Sequence, residues 1–308
     1  TYRMEWNIIQ LDRSGIDMGV DKEAYLTSVK EELADEYGDL TADGKPTDLE
    51  RTALAMYALG LDPRNIEMED GSTVDLIQWI LDSERISEGA NEAAYALLAV
   101  DANAVNIPEG SRWNRDTLVK ELLSFQADDG SFVLSKPVSG TGSIDMTAMS
   151  LQALSRYTDR EDVQAAVDKA LDYLKRNINM GDYGTVESND QVILTLLRLG
   201  IDPSDDDSGF TSWGANIFTA TDEYRIESGG FAHTKGGAVN EMATQQTLLA
   251  VAAWERFAAG ENDIYDMTDV MGGEEPEEPQ NPDQAAADAV TEQINSLPAA
   301  DTLTLADK

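Results

Sequence analysis

Residues 126–157 run QADDGSFVLSKPVSGTGSIDMTAMSLQALSRY. The stretch has three parts: a Gln-x-x-Asp-Gly-Ser-Phe turn from Gln126 to Phe132, a Gly- and Ser-rich loop, and a helix rich in Ala and Met that begins at Asp145. Asp and Gly together favour a turn, because Asp bonds its own backbone and Gly tolerates positive φ. The remainder of the chain repeats this unit with variations.

Outward from it, two kinds of helix alternate. Residues 24–37 place Leu26, Val29, Leu33 and Tyr37 on one face, and residues 163–174 place Val163, Ala166, Val167, Ala170, Leu171 and Leu174 on one face, with charge opposite. Residues 74–81, 117–125 and a shorter segment near 213–219 complete this one-sided set. The other kind is apolar over a wider arc: 47–59, 91–100, 145–157, 189–199 and 240–257, together with a short helix at 4–14. Two of the wide-faced helices end alike, at Gly60 before Asp62-Pro63 and at Gly200 before Asp202-Pro203. The period of about 45 to 50 residues is that of a repeat architecture.

Wide-faced helices among one-sided ones predict two concentric layers, the first kind inside and the second shielding it from water. Six inner helices, near Trp6, Ala53, Ala96, Ala148, Ile193 and Leu248, and at least five outer ones would close a ring. An open solenoid would need polar capping repeats, and none is obvious. The predicted fold class is therefore all-α, an α/α toroid, over residues 1–270.

Charge and composition narrow the function. With 22 basic and 59 acidic residues the net charge is −37, a surface that repels phosphate backbones and anionic headgroups, so neither nucleic acid nor a membrane surface is an expected partner. The longest apolar runs, 93–100 and 248–254, are too short to span a bilayer. There is no cysteine, which removes disulfides, thiolate zinc sites and Cys nucleophiles together.

Gln126-x3-Gly130-x-Phe132, after Leu122-Leu-Ser-Phe125, resembles the Gln-x3-Gly-x-aromatic repeat of the squalene cyclase and prenyltransferase superfamily, and Met180-Gly-Asp-Tyr-Gly184 and Glu227-Ser-Gly-Gly-Phe231 look like weaker copies. Residues 145–154 also resemble the matching helix of the transcobalamin and intrinsic-factor family. The whole is similar to toroid modules of multidomain surface proteins of Gram-positive bacteria. These resemblances imply the fold; activity follows only where the motif residues are present.

The motif residues are largely missing. The cyclases protonate an alkene with Asp-x-Asp-Asp directly before Thr-Ala; with Thr147-Ala148 as anchor, the acid positions hold Ser143, Asp145 and Met146, so only the middle acid remains. The prenyltransferase zinc site needs Asp, Cys and His, while this chain has a single histidine, His233, in a turn, and no cysteine. A thioester of the complement type is excluded for the same lack of cysteine. The acidic loop Asp202–Gly209 lacks the spacing of a calcium loop, and no metal or cofactor is assigned.

Short polar residues open the inner helices: Asp48, Asn91, Asp145, Asn189 or Asp190, and Asn240. Capping accounts for them structurally. Parallel inner helices would also gather them at one mouth of the ring, where Asn91, Asp145, Gln152, Gln191, Asn240, Thr244 and Gln245 are the candidate ligand-binding residues around an apolar cavity. Asp145, Met149 and Gln152 share a helical face. Phe132, Tyr183 and Phe231 are expected to staple the turns onto the helix layer, and the five tryptophans include candidates for a sugar-stacking platform.

Beyond Phe257 the composition changes. Residues 271–283 are expected to form an acidic, Pro-rich extended spacer, and 284–308 the start of a small helical module. The first residue is Thr1, so an upstream leader or domain is expected. Modules on such spacers favour a secreted or cell-surface bacterial parent. The expected function is a noncatalytic ligand-binding or scaffold module for a small molecule, a corrinoid among the candidates, or for a glycan or peptide. The alternatives are an enzyme using carboxylates such as Asp145 and Asp190, and a structural spacer whose ring encloses no cavity.

Overall fold

The computed structural model describes residues 4–15, 19–35 and 38–272. Six helices form its inner layer: α1 (Glu5–Arg13), α3 (Pro46–Ala58), α5 (Ala90–Ala102), α7 (Ile144–Leu154), α9 (Val186–Arg198) and α11 (Glu241–Ala259). Each packs on the next in that order, and α11 packs on α1, so the ring closes. Around it lie α2 (Lys22–Ala34), α4 (Leu76–Asp82), α6 (Arg115–Leu123), α8 (Glu161–Asn177) and α10 (Ile217–Asp222). Of these α4 packs on α3 and α5, α6 on α5, α8 on α7 and α10 on α9. Apart from Met271 and Gly272, the expected spacer at 271–283 and the helical segment at 284–308 lie outside the described residues, as does Tyr37.

Alanine lets the inner helices approach closely. Ala53, Ala55 and Ala58 of α3, Ala93, Ala96 and Ala99 of α5, and Ala148 and Ala153 of α7 are all buried. The outer α8 shows the opposite pattern, with Val163, Ala166, Val167, Ala170, Tyr173 and Leu174 buried on one face, acids in its first turn and Lys175 and Arg176 in its last. That polarity suits the helix dipole at both ends. Gly60 and Gly200 end α3 and α9 at φ +71° and +73°. The next residue bonds back across the helix end in each case, Leu61 N–H to Met56 O and Ile201 N–H to Leu196 O, both 2.8 Å.

The repeated turn joins the two layers through hydrogen bonds. Gln126 Nε2 donates to Ala166 O of α8 at 2.8 Å, and Phe132 N–H donates to Thr147 Oγ1 of α7 at 2.9 Å. Thr147 is the fourth residue of its helix. The fourth residue of α9, Asn189, accepts from Tyr183 N–H at 2.9 Å, and the fourth of α11, Thr244, accepts from Phe231 N–H at 2.9 Å. The three aromatic turn residues therefore dock through their backbones as well as their rings. Gly130 is required sterically: it has φ +93°, and a Cβ there would lie 2.3 Å from Lys169 O.

Two features have no counterpart in the sequence pattern. Two antiparallel pairs occur, β1 (Ile66–Glu67) with β2 (Thr73–Val74) and β3 (Phe231–Ala232) with β4 (Val239–Asn240). More consequentially, residues 260–271, ending in α12 (Thr268–Met271), cross the C-terminal end of the ring. Asp269 bridges Arg13 of α1 (2.7 Å) and Arg256 of α11 (2.6 Å), Asp266 pairs with Arg156 just after α7 (2.6 Å), and Asp263 pairs with Arg198 of α9. Met267 N–H bonds Ala102 O at the end of α5 (2.7 Å), and α12 packs on α3. All six inner helices are tied to this segment, which gives the ring a floor.

Candidate functional site

The opposite end is open. A cavity of about 750 Å³ enters the ring there. Its lining follows a rule: the second residue of every inner helix faces it, namely Trp6, Thr47, Asn91, Asp145, Glu187 and Met242. One turn deeper Arg51, Tyr95, Met149, Gln191 and Gln246 face it too. The helices are parallel and the i, i+4 pair shares a face, so a common register presents equivalent positions inward. Leu249 and Tyr265, the latter from the floor segment, line it as well.

One wall is aromatic: Trp6 and Tyr95 meet with ring centroids 5.5 Å apart at 52°. The facing wall is amide: Gln191 Nε2 donates to Gln246 Oε1 at 3.1 Å. Tyr265 is 2% exposed, and its hydroxyl has no hydrogen-bond partner among the described residues. Burial pushes both phenols, Tyr95 and Tyr265, upward in pKa, so both are neutral donors. Arg51 holds Glu5 (3.0 Å) and Asp48 (2.9 Å), and at the rim His233 Nδ1 lies 2.8 Å from Glu187 Oε2. Asn91 Oδ1 and Asp145 Oδ1 have no hydrogen-bond partner among the described residues.

Four of the expected ligand-binding residues, Asn91, Asp145, Gln191 and Asn240, line this cavity. Two do not. Gln152 shares a face with Asp145 and Met149 but lies beneath Gln191, fully buried, with its amide donating to Gln191 O (3.1 Å) and Oε1 (2.9 Å). It fastens α7 to α9. Gln245 is one residue out of phase: it bonds Glu241 on its own helix (3.3 Å), and Gln246 faces inward instead. Thr244 is spent on the Phe231 turn. Asp190, the second carboxyl of the enzyme alternative, is also outside the cavity. It is fully buried, accepts from Thr247 Oγ1 at 2.7 Å, and burial raises its pKa well above the ordinary range.

Trp6 is one of the tryptophans expected to offer a stacking surface; the residues that the sequence reading missed include Thr47, Arg51, Tyr95, Glu187, Met242, Gln246 and Tyr265. All but Tyr265 obey the second-residue register, which becomes readable once each helix start is known. His233, in its exposed turn, is at the rim of the cavity. In the loop Asp202–Gly209, Asp202 accepts from Ser204 and Asp205 from Asp207, as turn-forming carboxylates do. Among the described residues no group of three or more His, Cys, Asp or Glu side chains is arranged to hold a metal, and no helix is long and apolar enough to cross a membrane.

Neither protein-family models nor curated protein sequences match this chain. Among solved structures it is similar to Candida albicans protein geranylgeranyltransferase-I complexed with GGPP, at TM-score 0.58 and 9% identity, over 87% of this chain and 90% of that one. The fold is the α/α toroid. At that identity the likeness speaks for architecture alone. In this toroid, among the described residues, the cavity opens at the mouth formed by the inner-helix N-termini, opposite the floor segment.

Proposed function

We propose that this toroid is a noncatalytic ligand-binding module of a secreted or cell-surface bacterial protein, holding a small molecule, glycan or peptide in the ring cavity. The observation that carries this reading is the 750 Å³ cavity, closed at one end and lined by a single register of six helices. A ring serving only as a spacer has no use for such a volume, which is within the range of small-molecule sites. Asp190 lies outside the cavity, so the Asp145–Asp190 pair of the enzyme alternative is not assembled there.

The test is a thermal-shift screen of the full 308-residue chain against corrinoids, oligosaccharides, short peptides, polyprenyl diphosphates and amines. A ligand at a hundredfold excess over its dissociation constant stabilises the folded form by about 2.7 kcal/mol. The expected result is a shift with one class that Gln246→Ala and Asn91→Ala abolish. A shift that survives both substitutions, or the absence of any shift, would count against the cavity as a binding site. Turnover of a bound compound would overturn the noncatalytic part.

A further inference from the structure

The charge around the mouth says what kind of ligand the cavity takes. Every inner helix carries an acid in its first turn: Glu5, Asp48, Glu92, Asp145, Glu187 and Glu241. Six parallel helix N-termini would otherwise make a strong anion site, each contributing roughly half a positive charge. The six carboxylates outweigh that contribution. The basic side chains lining the cavity do not restore it. Arg51 is held by Glu5, itself 1% exposed, and by Asp48, while His233 is held by Glu187.

Two further observations point inward to a ligand. The Tyr265 side chain is 98% buried, is aimed into the cavity and carries a hydroxyl with no hydrogen-bond partner among the described residues. The tilted Trp6–Tyr95 pair lines the same cavity as the Asp145 carboxyl, with Trp6 in the rim row alongside Asp145 and Tyr95 one turn deeper. Aromatic rings and a carboxylate lining one cavity are the groups that hold an organic cation. A net charge of −37 raises the local concentration of cations at such a concave surface before any contact is made.

We infer that the ring cavity selects a ligand bearing a compact organic cation, an amine, quaternary ammonium or guanidinium group, held between Asp145 and the Trp6–Tyr95 wall. This rests on the binding-module reading above and adds the ligand class. The cation enters past Glu187, its charge meets Asp145, and the remainder of the ligand lies against the amides of Gln191 and Gln246 and the hydroxyl of Tyr265. A diphosphate or other polyanion meets no uncommitted basic side chain among the residues lining this cavity.

The experiment is calorimetric titration of the full chain with agmatine and tetramethylammonium, and in parallel with maltotriose and pyrophosphate, at about 0.15 M salt, where diffuse surface attraction is screened. Expected is saturable one-to-one binding of a cation that Asp145→Asn weakens about tenfold or more, the size of one lost charge-assisted contact. Glu187→Gln, which keeps the helix and its Thr185 cap, is the second variant and should weaken it in the same direction. Glu69→Gln, at an exposed acid in the turn between β1 and β2, should leave it unchanged. Cation binding at many equivalent sites, or equally reduced by Glu69→Gln, would overturn the inference. Cavity binding of maltotriose or pyrophosphate without the cations would overturn the ligand class while leaving the binding module standing. Failure of all four probes to bind would overturn the cation inference, while the binding module is judged by the wider thermal-shift screen.

Discussion

Glu50 on α3 is fully buried, and neither of its carboxylate oxygens has a hydrogen-bond partner among the described residues. Burial first, then the nearby charges of Glu92 and Asp48, push its pKa well above the ordinary 4.5. Between the unfolded value near 4.5 and the raised folded value, the native protein keeps a proton that the unfolded chain has lost. Stability contributed by this group is therefore full below the unfolded pKa and falls as pH rises through the folded one. Glu50→Gln should raise the melting temperature at pH 8 and lose that advantage towards pH 4; a pH-independent gain would sink this account. Thr147 makes a different point, because its hydroxyl accepts the buried Phe132 N–H while donating to Ser143 O (2.7 Å). Thr147→Val strands that N–H and should cost about 1–3 kcal/mol in urea unfolding; a loss under about 0.5 kcal/mol would mean that the turn finds another acceptor. At this scale the sequence was half legible. Polar residues at helix starts led to Asn91 and Asp145, but a helix apolar over a wide arc does not reveal its phase, and a shift of one residue, about 100°, separates Gln245 from Gln246.

The helices themselves were legible because each layer leaves its own periodicity, one-sided outside and wide-faced inside. The floor segment leaves none. Residues 260–271 are held by carboxylates whose partners are remote in sequence, Asp269 lying 256 residues from Arg13, and no local pattern encodes such a pairing. β1 to β4 are two residues each, too short to show alternation. The energetics of the floor are concentrated in Asp269. Burial alone would raise its carboxyl, but the guanidinium groups of Arg13 and Arg256 outweigh burial and hold it below the usual range. Removing one partner of a buried pair costs several kcal/mol. Asp269 is a third exposed, so Asp269→Ala should cost less, about 2–3 kcal/mol after allowing for solvent screening. The depressed pKa places the acid loss of this bridge below about pH 4, where the carboxylate protonates. Wild type should thus lose stability more steeply than Asp269→Ala as pH falls from 4 to 2, as followed by circular dichroism; parallel curves would show that the bridge contributes nothing.

For the whole molecule, a charge of −37 works against compaction. Added sodium chloride shortens the range of that repulsion, to about 3 Å at 1 M. The melting temperature should accordingly rise between 0.05 and about 0.5 M salt, and a fall would mean that ion pairs such as those of the floor dominate over net charge. The ring itself closes through α1 against α11, which makes the chain's two distant regions one wall of the cavity. The rule that the second residue of each inner helix faces inward has a consequence for diversification. Those six places are neither caps nor backbone anchors of the repeated turns, so most of what folds the ring lies elsewhere. Trp6, Thr47, Asn91, Asp145, Glu187 and Met242 form a six-letter word written around one rim, and rewriting it letter by letter would give a family of receptors with a shared frame and unrelated tastes.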